Sequence, residues 1–258
     1  MSTTHRTLAL LGMTVASALP AFADDQPKEA KADVDAYAIT LIERAAKFLG
    51  EAEHFSVDAE IWTDTVIDGK LLQFDKHVEM LVRRPDGVRI NISTVEPTRS
   101  IYYNGKTITM VDYGTHFYAT ADTSDNIDDM IEAVDEQYEV EFPMEDLLFS
   151  NPFGNAAEKA VTGQYLGKTV VLGVECDHVA FQHPVVDWQA WIQTGPEPVL
   201  RKVVIDYHDK PVTPRVTSIF SDWDFLTPMP DFLFEFTPLS YQKKIDAASR
   251  ASATPDAK

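Results

Sequence analysis

The chain has 258 residues, with 41 acidic against 22 basic side chains and a formal charge of −19 at pH 7. Such a surface repels phosphate backbones, which argues against nucleic-acid binding, because that mode needs a basic patch and counterion release. A single cysteine, Cys176, allows no intrachain disulfide, so a packed core has to carry stability.

In chain order, His5-Arg6, the apolar run from Thr7 to Leu19 and Pro20-Ala21-Phe22-Ala23 read as a signal peptide over residues 1–23, cut after Ala23. The run falls short of the roughly 20 residues that a membrane-spanning helix needs, and no later segment approaches that length. No integral membrane segment is therefore expected, and the mature protein belongs to the periplasm. No cysteine stands at the end of the run where a lipid would be attached, so a lipid anchor is not expected. Removing the leader deletes Arg6 and no acidic side chain, leaving the mature chain more acidic still. That acidity is read as a solubility device. Residues 24–34 are polar and aperiodic, as are residues 247–258, and both segments are predicted to be disordered. One domain is expected over residues 35–246.

Within it, Tyr37, Leu41, Ile42, Ala45, Phe48 and Leu49 recur at helical spacing, which predicts an amphipathic helix over 35–49 stopped by Gly50. Strands follow. Phe55, Val57, Ala59 and Ile61 alternate with polar residues, Asp68-Gly69 turns the chain, and Leu72, Phe74, Val78, Met80 and Val82 share a face of the return strand. After Pro85-Asp86-Gly87, the residues Val88, Ile90 and Ile92 alternate in the same way. Residues 99–103 then meet 106–111 across Asn104-Gly105, and 116–120 closes a meander of up to six strands. Ile127, Met130, Ile131, Val134 and Tyr138 form the apolar stripe of a second helix whose remaining surface is acidic. Pro143 opens a short helix containing Met144, Leu147, Leu148 and Phe149. Strand patterns return at 163–171, 174–181, 187–192, 199–208 and 216–225.

This order of elements predicts an α+β fold, a large curved antiparallel sheet forming an unclosed β-barrel covered by helices. A sheet of about ten strands curls, and helices are the economical cover for its apolar face.

Motifs for chemistry are sparse. His178, His183 and Asp187 have a spacing that invites a metal, but Pro184 and the strand around Trp188 make the segment extended, so a shared face is not guaranteed. No metal is assigned. There is no G-x-S-x-G, Cys176 reads as a small half-buried strand residue, and pairs such as Asp128-Asp129 and Glu145-Asp146 read as solvated helix faces. His77 and Glu79 lie on a polar strand face. No phosphate loop or cofactor motif is present, so no cofactor is expected. Trp188 and Trp191, three apart on a strand, should point to opposite faces. Met80, Met110, Met130 and Met144 could give an apolar lining some adaptability.

Several blocks in one order carry a resemblance: 55–82, Arg83-Arg84-Pro85-Asp86, Tyr102-Tyr103-Asn104-Gly105-Lys106-Thr107, Gly173-Val174-Glu175-Cys176-Asp177-His178, Val186-Asp187-Trp188-Gln189-Ala190-Trp191-Ile192 and Phe234-Glu235-Phe236-Thr237-Pro238. Over about 35–244 the chain resembles a family of predicted periplasmic proteins of unknown function. That family is grouped with the lipoprotein carriers and receptors of the Lol pathway, in the LolA/LolB-like superfamily. The resemblance implies an unclosed barrel with a helical lid over an apolar cavity.

Function is accordingly expected to be non-enzymatic binding of an acyl chain, lipid or lipoprotein between sheet and lid. The lining expected from the strands is Val57, Ile61, Val78, Met80, Val82 and Ile90, and from the lid helix Met130, Ile131 and Val134. If the helix stripe faces a partly unfilled cavity, Met130→Ala should be tolerated. The alternatives are a module that binds another envelope protein without a ligand and, third, a hydrolase with an unrecognised site.

Overall fold

A computed structural model describes residues 33–94, 98–138, 142–153, 160–208 and 214–247. The leader, its cut after Ala23 and the tail beyond residue 247 lie outside the described residues. The first strand, β1 (Asp33–Val34), precedes helix α1 (Ala36–Glu51). A meander follows, of β2 (His54–Ile67), β3 (Lys70–Arg83), β4 (Gly87–Ser93), β5 (Arg99–Tyr103), β6 (Thr107–Asp112) and β7 (Phe117–Asp122). Helix α2 (Ile127–Tyr138) and a single 3-10 turn (Glu145–Leu147) separate it from a second meander. That meander is β8 (Thr162–Val171), β9 (Val174–Gln182), β10 (Val186–Gln193), β11 (Leu200–Tyr207) and β12 (Arg215–Asp224), and β13 (Lys243–Lys244) is the last strand among the described residues.

All 13 strands belong to one sheet in the order β1-β8-β9-β10-β11-β12-β2-β3-β4-β5-β6-β7-β13, which has two ends and is not closed. The meanders join where β12 pairs antiparallel with β2. Among the described strands the only parallel pairs are at the two ends, where β1 adds to Thr162–Gly163 and β13 to Phe117–Tyr118. Unpaired edges template aggregation, so ending a sheet on its own termini is a protective arrangement. Neither strand is visible in the hydrophobic pattern, because two residues make no period, and Asp33–Val34 lies in a segment read as aperiodic.

Helix α1 starts where Asp35 accepts the Tyr37 N–H, as an N-cap should. It does not stop at Gly50 but runs on to Glu51. Gly50 is needed for close approach instead, since a Cβ there would stand 2.6 Å from the Ser150 carbonyl oxygen. The β5–β6 loop also departs from a two-residue hairpin. Tyr103 pairs with Ile108, and the Asn104 side chain accepts the N–H groups of Lys106 and Thr107, an Asx-type closure that lengthens the loop. At Asp68-Gly69 both residues have positive φ, as the tight β2–β3 hairpin requires.

One face of the sheet, called inner below, is covered by the helices. Ala38, Leu41, Ala45 and Leu49 of α1 and Ile127, Met130, Ile131 and Val134 of α2 merge with strand side chains into one core. The outer face of β4–β7 is crossed by the segment after β12. There Phe236 lies against Tyr102 and Tyr118, with ring centroids 5.5 and 5.1 Å away. Arg83 holds this segment through Asp231 and the Met229 carbonyl, and its guanidinium lies 4.8 Å from the centre of the Phe234 ring. Ser100, Thr109 and Val111 are buried on that outer face. Within β4–β7 the exposed large apolar strand residues, Met110 and Phe117, lie on the inner face, whereas at the β2–β3 tip Val66 and Leu71 are exposed on the outer one.

Candidate functional site

All nine residues expected to line a site lie in the one core, and none is more than 4% exposed. Val57, Ile61, Val78, Met80, Val82 and Ile90 are inner-face residues of β2–β4, and Met130, Ile131 and Val134 of α2 belong to the same buried core. Met130 has no solvent exposure. These residues are sealed from solvent beneath the helices.

Exposure rises along the same strands towards the other end. The register defines a continuous inner-face row, Phe181–Trp188–Ile205–Val216–Thr63–Phe74, crossing β9, β10, β11, β12, β2 and β3. Phe181 is buried, the next four are half-buried and Phe74 is 51% exposed. Beyond Phe74 on the same face come Leu72 and Ile67, at 42% and 44%. Across β4 and β5 the face continues to Met110 and Phe117, at 37% and 40%. Strands lie about 4.8 Å apart, so the row from Trp188 to Phe74 measures roughly 19 Å, the length scale of a long acyl chain. Sequence reasoning placed Phe74 on this face, but it could not connect Phe74 to Trp188, because β12 pairs with β2 across more than 140 residues of chain.

Trp188 anchors the deep end of the row. It stacks on Phe181 with centroids 4.5 Å apart, and its Nε1–H donates to His183 Nε2 at 3.0 Å. That acceptor nitrogen carries no proton, and burial holds the His183 pKa below the ordinary imidazole value. Trp191 points to the outer face, between His178, stacked at 4.0 Å, and the Lys202 ammonium, 4.6 Å from the ring centre. The two tryptophans thus face opposite ways.

The other residues weighed for chemistry are dispersed. His178 bonds Gln189, His183 bonds Trp188, and Asp187 pairs with His208 at 3.2 Å, so the three do not converge. Cys176 is buried, and burial raises its thiol pKa, away from nucleophilic use. Asp128 caps Ser150 through its N–H and hydroxyl, and His77 pairs with Glu60 at 2.8 Å. A polar outer pocket of about 380 Å³ is lined by Asp64, Asp187, Asp206, His208 and Arg215, where Arg215 is held bidentate by Asp206. Another, of about 360 Å³, opens between Asp122–Ser124 and the Ala133, Val134, Gln137 and Tyr138 side of α2. No group of three or more His, Cys, Asp or Glu among the described residues is arranged to hold a metal ion. No helix among them is long and apolar enough to cross a membrane.

A family model described as "Predicted periplasmic protein (DUF2092)" matches residues 38–248. No curated protein sequence matches. Among solved structures, the chain is similar to the lipoprotein LppX of Mycobacterium tuberculosis, at 13% identity and TM-score 0.46, over 73% of this chain and 96% of that one. It is similar to LprF from Mycobacterium bovis at 14% identity and TM-score 0.48, over 76% and 97%. A LolA superfamily protein from Nitrosomonas europaea matches at 11% identity and TM-score 0.38, over 77% and 97%.

Proposed function

Because the chain belongs to the DUF2092 family of predicted periplasmic proteins, we propose that it is a non-enzymatic periplasmic binding protein that holds an acyl chain or similar apolar ligand on the inner face of its sheet. The observation that carries this reading is the gradient along that face, from a sealed core under the helices to exposed Phe74, Leu72, Ile67, Met110 and Phe117. An exposed apolar surface of this kind on a strongly acidic protein lowers solubility unless something covers it. We read the half-buried row of Trp188, Ile205 and Val216 as the floor of a shallow trough, which suits a chain laid lengthwise. The nine buried residues form the packed wall at which such a chain ends, and outward movement of α2 would extend the trough to them.

Native mass spectrometry of the protein taken from its own periplasm tests the reading. An apolar adduct released by organic solvent is expected, and Nile red should bind the delipidated protein and lose affinity on Phe74→Ser or Val216→Ser. Adduct-free protein that also ignores Nile red refutes it.

A further inference from the structure

At one end of the sheet β2 and β3 run on as a two-stranded ribbon. β12 pairs with β2 only as far as Thr63, and β4 pairs with β3 only from His77 onward. The pairs Asp64–Gln73, Thr65–Leu72, Val66–Leu71 and Ile67–Lys70 therefore extend past β12 and β4, by roughly 13 Å. Every residue from Thr65 to Asp75 is exposed, and Val66, Ile67, Leu71, Leu72 and Phe74 among them are large and apolar, each 42% to 51% exposed. Ile67, Leu72 and Phe74 continue the inner face, whereas Val66 and Leu71 lie opposite, on the outer one.

Apolar residues on both faces of a narrow tip are unfavourable in water, and a partner laid against one face would leave the other wet. A lipid interface surrounds the tip and covers both. Charge selects the kind of interface. Residues 65–74 hold one carboxylate, Asp68, and one ammonium, Lys70, so the tip is neutral on a chain of formal charge −19. Nothing in it attracts an anionic surface, and such a surface repels the acidic body behind it. The depth of entry is bounded as well. Asp64, which accepts from Gln73 at 3.1 Å, stands two residues behind Val66, about 7 Å. The ribbon's outer edges also carry backbone groups that hydrocarbon cannot satisfy. Entry of that order leaves the tip at the headgroup–acyl boundary, where interfacial elements lie buried by about 5–10 Å.

We propose that the β2–β3 tip docks the protein on the surface of a zwitterionic phospholipid bilayer. The inner side of the tip leads into the row from Phe74 to Trp188, so docking brings the open end of that row to the lipid. Val66 and Leu71 lie on the face opposite the row, and membrane contact can therefore fail while ligand binding holds.

Flotation of the mature protein with vesicles of phosphatidylcholine or of phosphatidylglycerol, at low and high salt, is the test. Binding to phosphatidylcholine is expected, with weaker binding to phosphatidylglycerol that recovers as salt screens the repulsion. Val66→Ser with Leu71→Ser should weaken binding to phosphatidylcholine roughly ten- to a hundredfold, about three- to tenfold for each half-exposed side chain. Nile red binding and melting temperature should not change. An NBD fluorophore attached through Val66→Cys should shift to the blue on phosphatidylcholine vesicles, and Cys176, being buried, does not take the label. Absence of binding to phosphatidylcholine, unchanged binding by the double variant, or an unshifted label overturns the proposal. Tighter binding to phosphatidylglycerol at low salt overturns it too, as does loss of a dimer, rather than of vesicle binding, in the double variant. In each of these cases intact Nile red binding leaves the ligand function standing, and its failure in the wild type overturns that function separately.

Discussion

Stability and ligand binding should separate along the barrel, and the pair Met130→Ala and Phe74→Ser measures the separation. Met130 is fully buried among α2 and strand side chains, where shortening Met to Ala removes apolar contact and leaves a void. In a filled core that change costs about 2–5 kcal/mol. For a chain of this size the loss lowers the melting temperature by roughly 4–20 °C. Phe74 is 51% exposed, so the transfer energy at stake is about half that of a fully buried ring, roughly 1 kcal/mol. Thermal unfolding of the delipidated protein should show the large loss for Met130→Ala and a small one for Phe74→Ser. Ligand at a hundredfold excess over its Kd adds about 2.7 kcal/mol to the wild type, an increment that Met130→Ala should keep and Phe74→Ser should lose. If Met130→Ala is tolerated, unfilled space lies beneath α2 and the trough extends to the lid. If Phe74→Ser destabilises by more than about 2 kcal/mol while ligand binding is intact, the row is core and the assignment is wrong.

Burial lowers the pKa values of His183 and His178 in the folded state, so the unfolded chain takes up protons first as pH falls. Their contribution to stability should be complete above the ordinary histidine value near 6.5 and shrink below it towards the folded-state values. Trp188 emission should change in the same acidic window, and an emission trace in His183→Gln that still follows the wild-type titration would refute the link. Gly50→Ala should destabilise even though alanine is the better helix former by about 1 kcal/mol, because its Cβ meets the Ser150 carbonyl, and a raised melting temperature would show that the 150–152 loop yields. Periplasmic material should have Asp24 as its first residue by intact mass, and an uncut Met1 terminus would refute the leader assignment.

Local pattern alone determined much of this protein. The alternation of Phe55, Val57, Ala59 and Ile61, the spacing of Leu41, Ala45 and Leu49, and the turn residues Asp68-Gly69 encode element type, because side-chain period and backbone preference are properties of neighbouring residues. The inner face was legible for the same reason, as was the opposition of Trp188 and Trp191. Three matters were decided only by tertiary structure. The two-residue strands β1 and β13 exist because the sheet has edges to be covered, which no local period records. Gly50 answers to the loop at Ser150, about a hundred residues away, rather than to the end of its helix. The position of the accessible surface depends on how far the helices reach along the strands, so that Met80 is sealed and Phe74 open although both share one strand and one face. Hydrophobic pattern tells which side of a strand avoids water; only the packing of distant elements tells how much of that side they cover.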